Sequence, residues 1–275
     1  MMKKDISLSV QVVICFFLIF CLMFVPSCKK SPSDSPSGNS SDKNTVETEP
    51  QPPAQTSAQV PDETNNAQNT TSETDKSGWV PIDIKLPKAV FIGTPQDTRV
   101  PNLEKPRTEA RPPFLAPEGT KNVAAGKPVT SSDEEPIIGE LSYITDGDKE
   151  AADGSYVELG PLQQYVTIDL GQMYKIYAIV VWHHHMQAQV YYDVVVQVAE
   201  DADFVTNVRT VFNNDIDNSA GFGVGKDMHY TETNEGKLID ARGVPARYVR
   251  LYSNGNTSDD LNRYTEVEVY GKPVE

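Results

Sequence analysis

Residues 121–275 predict an all-β fold, a sandwich or barrel, and three observations carry that expectation. The segments 166–170, 176–183, 191–199, 209–213, 237–240, 246–253 and 264–271 are rich in β-branched and aromatic residues. They are separated by Gly, Asn and Asp clusters, and no interval between them sustains a helical repeat. The region is about 150 residues long, a usual size for one hydrophobic core, and many short strands in that length close as a sandwich or barrel.

The rest of the chain divides by composition. Residues 1–27 read as a targeting segment, with Lys3 and Lys4 ahead of an almost wholly apolar run from Val10 to Val25. Val25-Pro26-Ser27-Cys28 resembles the bacterial lipobox, which would make Cys28 the lipidated residue of an exported, membrane-anchored lipoprotein. The alternative is an uncleaved signal anchor. All three cysteines, Cys15, Cys21 and Cys28, lie in this part, so the remainder has no internal disulfide and must be held by packing or by a metal. Residues 28–78 are Ser, Thr, Pro, Asn, Gln, Asp and Glu with almost no branched aliphatic side chain. Such a stretch buries too little to offset its conformational entropy and predicts a disordered tether, spanning on the order of 40 Å on average.

Residues 79–120 carry apolar side chains interrupted by prolines every few positions, which neither a helix nor a central strand tolerates. Trp79, Ile82, Ile84, Val90, Phe91, Ile92 and Phe114 still need a surface. The reading is an extended arm packed on the domain, with one short strand at 88–92; continued disorder is the alternative. With 39 acidic against 24 basic side chains and a net charge of −15, the chain is a poor partner for nucleic acid or anionic lipid.

Several motifs together resemble a family. The run from Asn122 to Ser132 (NVAAGKPVTSS) is similar to an opening strand, Ile144 to Asp148 (ITDGD) to an acidic turn, and Val166 to Gly171 (VTIDLG) to a central strand. Ala246 to Leu251 (ARYVRL) and Glu266 to Gly271 (EVEVYG) resemble the last two strands. The family is the discoidin, or coagulation factor C-type, domain, whose galactose-binding-like jelly roll is shared with many carbohydrate-binding modules. The resemblance implies a jelly-roll β-sandwich and a monomeric, non-catalytic module. Its partner would be a glycan or polysaccharide, or else a protein of the cell envelope. It also implies a structural Ca2+ held by Asp146 and Glu266, with Asp148 and the carbonyl of Thr265 as further ligands, a set of hard oxygens that suits this ion. The plain reading of Asp146-Gly147 is a turn, and of Glu266 a solvated strand residue.

Three of the four histidines stand together in the stretch from Val180 to Tyr192 (VVWHHHMQAQVYY). They lie where a strand ends, so His183 and His185 share one face and His184 opposes them. Zinc would need a third ligand, from Asp193 or His229. A strand end with hydrogen-bonding side chains is the plain alternative. In sugar-binding relatives the loop after this strand contacts ring hydroxyls, which the resemblance carries onto His183, His185, Gln189 and Tyr191. From the last loop it adds Asn254 and Asn256, with no aromatic platform before Tyr264 and no arginine in the first loop. The histidines are expected in a loop set separate from the acidic turn. Gly221 to Lys226 fails the phosphate-loop pattern, and its glycines are expected to let a long loop pack under residues 213–215.

Overall fold

The structure is a computed structural model that describes residues 76–91 and 98–274. The expected signal segment, the lipidation at Cys28 and residues 28–75 of the tether lie outside the described residues. Among the described residues there are ten strands and one 3-10 turn. They are β1 (Trp79–Pro81), β2 (Leu115–Pro117), β3 (Lys121–Asn122), β4 (Val129–Ser131), the turn Leu141–Thr145, β5 (Val157–Leu159), β6 (Gln164–His183), β7 (Val195–Ala199), β8 (Arg209–Asn213), β9 (Lys237–Ser253) and β10 (Asn262–Pro273).

Two of the strands are long and bent, where the sequence pattern suggested four short ones. The segments 166–170 and 176–183 are both parts of β6, and 237–240 and 246–253 are both parts of β9. Their antiparallel pairing shifts register between Asp169 and Tyr174 and again between Ile176 and Ala178. At the first shift Gly171 takes φ +86°, a conformation that side chains disfavour, and Asp169 accepts its N–H at 2.8 Å. On one side of the bend, residues 164–169 of β6 pair with residues 248–253 of β9 and with β4, and β9 continues to β7 and β8. On the other side, residues 174–183 pair with 237–246 and with β10, which also carries β3 and β5. Alternation then directs Val166, Ile168, Leu170, Ile179, Val249 and Leu251 into one shared core. The result is an all-β sandwich of antiparallel strands.

The outer face of the second layer is also apolar, and the proline-rich segment lies on it. Ala178, Val180, Trp182 and Tyr270 are buried against Ile82, Ile84, Phe114 and Leu238. The segment's own order comes from β1 pairing β2, and Trp79 meets Tyr177 edge to face at 5.9 Å. The strand expected at 88–92 is absent over 88–91, and Phe91 is 47% exposed. Pro87 precedes this stretch and offers its carbonyl to Asn234 at 3.1 Å, so the chain is held from the side without a ladder partner. Residues 191–194 do not continue β7 either, because Asp193 sits at φ +51° and Tyr191 forms only an isolated bridge to Asn256. Gly225 approaches Asn213 so closely that an added Cβ would stand 2.3 Å from the Asn213 carbonyl oxygen.

Candidate functional site

At the end of the sandwich where β6 stops and β10 begins, three loops enclose a cleft of about 660 Å3. Tyr156 stands on one wall and meets His184 edge to face, with ring centroids 5.0 Å apart. Gln187 and Gln189 follow along the loop after β6. The floor is set by register: Arg263 of β10 lies directly opposite Glu158 of β5 and ion-pairs with it. Arg263 also forks onto Asp259, at 3.0 and 2.9 Å. Burial opposes the guanidinium charge, but the hydrogen bonds to Asp259 and Glu158 outweigh it and hold Arg263 above its ordinary range.

His184 is the histidine that faces this cleft. Burial first, then Arg263 and His185, hold its imidazole down to about 4, against the opposite pull of Asp153 and Asp259. It is neutral at physiological pH. Its Nδ1 is buried without a partner, and an orphaned N–H there would be costly. The favoured tautomer therefore presents an Nε2–H donor.

The other expected sugar contacts sit elsewhere, with the exception of Gln189, which lines the cleft. The alternation of the three histidines holds, but the open side is that of His184. His183 is 0% exposed, bonded through Nδ1 to Glu232 at 2.6 Å and stacked on Tyr191 at 4.3 Å. Tyr191 is buried as well and donates to Gln189 Oε1 at 3.4 Å. His185 donates Nε2–H to the Lys149 carbonyl at 2.8 Å, which ties it to the loop that follows the acidic turn rather than to a separate loop set. Asn254 donates to Asp193, and Asn256 folds its own loop through Asp259 and Leu261. Neither Asp193 nor His229 joins the histidines: the first accepts from Ser219 and Asn254, and the second bonds the Pro101 carbonyl.

Behind the cleft lies the acidic turn. Glu266 follows a register shift in β10, is 0% exposed, and accepts the Gly147 N–H at 3.0 Å through Oε2. Its Oε1 has no partner. Burial pushes the carboxyl up to about 9; the Gly147 hydrogen bond and Lys149 pull it back, while Glu268 and Asp146 push it further. Asp146 accepts from the Asp148 N–H at 2.7 Å. Asp148 is engaged by the Glu150 N–H and the Ser155 hydroxyl, and the Thr265 hydroxyl turns to the His183 carbonyl. Of the four expected ligands, Asp146 and Glu266 are thus brought to one turn, with Thr265 beside Glu266 in the chain.

A second acidic group was not anticipated. Among the described residues, Asp193, Asp215 and Asp217 have carboxylate oxygens within 4.8 Å of one another, close enough to share a cation. Its buried member, Asp215, accepts from the N–H groups of Asp217, Ser219 and Ala220 at 3.2, 3.2 and 2.9 Å. Tyr156, His184 and Arg263 were also missed as cleft residues. Arg263 was accessible by parity: Tyr264 points inward to Ser253, so its neighbour had to point out.

No protein-family model matches the chain, and no curated protein matches it. Among solved structures it is similar to a family 89 glycoside hydrolase from Clostridium perfringens in complex with 2-acetamido-1,2-dideoxynojirmycin, at 20% identity over 56% of this chain and a TM-score of 0.40. It is similar also to chitosan-binding module 1 of a Paenibacillus chitosanase/glucanase, at 21% identity over 55% of this chain and a TM-score of 0.37. A Streptococcus pneumoniae fucose-binding module matches at 17% identity over 56% of this chain, with a TM-score of 0.39. The matched region spans 15% of the hydrolase but 99% and 98% of the two binding modules.

Proposed function

We propose that this chain is a non-catalytic glycan- or polysaccharide-binding module with a discoidin-like sandwich, exported and held at a membrane by lipid on Cys28. The observation that carries the reading is the cleft at the β6–β10 end. An aromatic ring, a neutral imidazole with a free donor and two amides converge there in one open concavity. Sugars present apolar ring faces and hydroxyl groups that both donate and accept, and this combination of side chains answers both. His184 and Tyr156 are the binding residues, with Gln187 and Gln189 completing the hydroxyl contacts.

Calcium fits the acidic turn. The buried Glu266 carboxylate with one unpartnered oxygen, next to Asp146, is a hard-oxygen environment whose negative charge is costly without a cation. Asp146 and Glu266 would hold the ion, which would supply a clamp between the turn and β10. The chain continues from that turn through Lys149 to Asp153 and Tyr156 on the cleft wall, so the clamp would stiffen the binding loop.

A glycan array probed with the purified protein tests the reading. Specific binding is expected, weakened by His184→Ala and Tyr156→Ala and by chelation. Silence across the array would favour a module that meets another envelope protein through the same loops. For the anchor, Cys28→Ser is expected to move the protein from the membrane fraction to the soluble exported fraction.

A further inference from the structure

The charges around the cleft narrow the ligand class, on the condition that the cleft binds sugar. Three carboxylates, those of Asp153, Glu158 and Asp259, line it against one guanidinium, that of Arg263. Arg263 is already paired with two of these carboxylates, with Nε on Glu158 and one N–H of each terminal nitrogen on Asp259. His184, the remaining ionisable group with basic character on the walls, is neutral. Asp153 is exposed on the cleft wall, outside the Arg263 pairs, which go to Glu158 and Asp259. The Tyr156 phenol is raised mainly by burial, then by Glu158; Arg263 opposes this and Asp153 adds to it. An anionic sugar entering this cleft would meet an excess of carboxylates, against one guanidinium already paired with two of them. An ammonium group would find the Asp153 carboxylate on the wall.

We infer that the cleft selects an amino sugar with a free, protonated amine, read by Asp153, over uronic acid or sulfated sugars. The contact is exposed, so the preference is modest, on the order of fivefold, and shortened in range by salt. Specificity here is as much rejection of anions as attraction of the amine.

Isothermal titration of the full protein with three probes tests this: an oligomer of glucosamine, its fully N-acetylated counterpart and a polyuronate oligomer. The amine form is expected to bind about fivefold tighter than the N-acetylated one, with the polyuronate weakest. The ratio should collapse towards one in high salt, at a pH above that of amine ionisation, and in Asp153→Asn. Equal or tighter binding of the N-acetylated or polyuronate form, or a ratio that survives Asp153→Asn, would overturn the inference and leave sugar binding intact. If all three probes are silent while other glycans bind on the array, the inference alone fails. Silence in both experiments removes the glycan reading with it.

Discussion

Asp215 and Glu266 are both fully buried carboxylates at ends of the sandwich, yet the chain treats them differently. Asp215 is wrapped by the backbone of its own loop, with three N–H groups donating to it. Glu266 receives one N–H and leaves one oxygen without a partner, although each lies near two further carboxylates, Asp193 and Asp217 for the first and Asp146 and Glu268 for the second. A buried anion needs compensation from hydrogen bonds or from a cation. The first residue already has it from the fold; under the proposed calcium reading the second would receive it from the ion. The count of donors already committed, more than proximity of acidic side chains, is what distinguishes the two carboxylates.

Breaking the first of these should cost the most. Asp215→Ala strands the buried Ala220 N–H and removes the acceptor of the part-buried Asp217 and Ser219 N–H groups, and is expected to destabilise the domain by roughly 3–5 kcal/mol, equally in calcium and in chelator, by thermal or denaturant melting. A destabilisation that depends on calcium would mean that Asp215 serves an ion. Next comes Glu266→Gln, which keeps shape and removes charge. Wild type should gain about 2.7 kcal/mol at a hundredfold excess of calcium over Kd, and the variant should gain almost nothing. In chelator at pH 8 the variant should be the more stable of the two, by at least about 1 kcal/mol, because it no longer carries a buried ionisable carboxyl.

The pH dependence sharpens the same contrast. A carboxyl raised from 4.5 to about 9 on folding binds more protons folded than unfolded across that window. Its contribution to metal-free stability is complete below pH 4.5 and is lost as pH rises through 9, at up to about 1.4 kcal/mol per pH unit. His184, lowered from 6.5 to about 4, has the opposite slope, losing stability as pH falls from 6.5 towards 4. Melting measured between pH 7 and 9 in chelator isolates Glu266; a flat profile there would contradict the burial cost. The smallest effect is expected from His185→Ala, which removes one hydrogen bond to the Lys149 carbonyl, about 1 kcal/mol. Because that bond steadies the loop after the turn, the variant should also show a reduced calcium shift.

The strand pattern made the fold class legible, since Val166, Ile168 and Leu170 alternate with Thr167 and Asp169 as a half-buried strand must. The bends were not legible. Gly171 reads as a strand end, and only pairing with β9 on both sides of it makes one strand of two. The histidine parity was legible but its direction was not. Val180, Val181 and Trp182 are all buried because the arm covers the outer face, so nothing local distinguishes core side from arm side. The turn at Asp146 and its contact with Glu266 could be inferred only through family resemblance, as they are far apart in sequence. The hydrogen bonds that satisfy Asp215 come from a loop whose turns no periodicity announces.

Calorimetric titration of calcium into chelator-stripped protein at pH 7, repeated in two buffers of different ionisation enthalpy, measures ion uptake and proton release together. With Glu266 held up at about 9 before the ion arrives, the expected result is saturable binding with close to one proton released per calcium, and neither effect in Glu266→Gln. Calcium uptake that releases no proton, or that persists unchanged in Glu266→Gln, would contradict the assignment of the buried carboxylate as the ion's ligand.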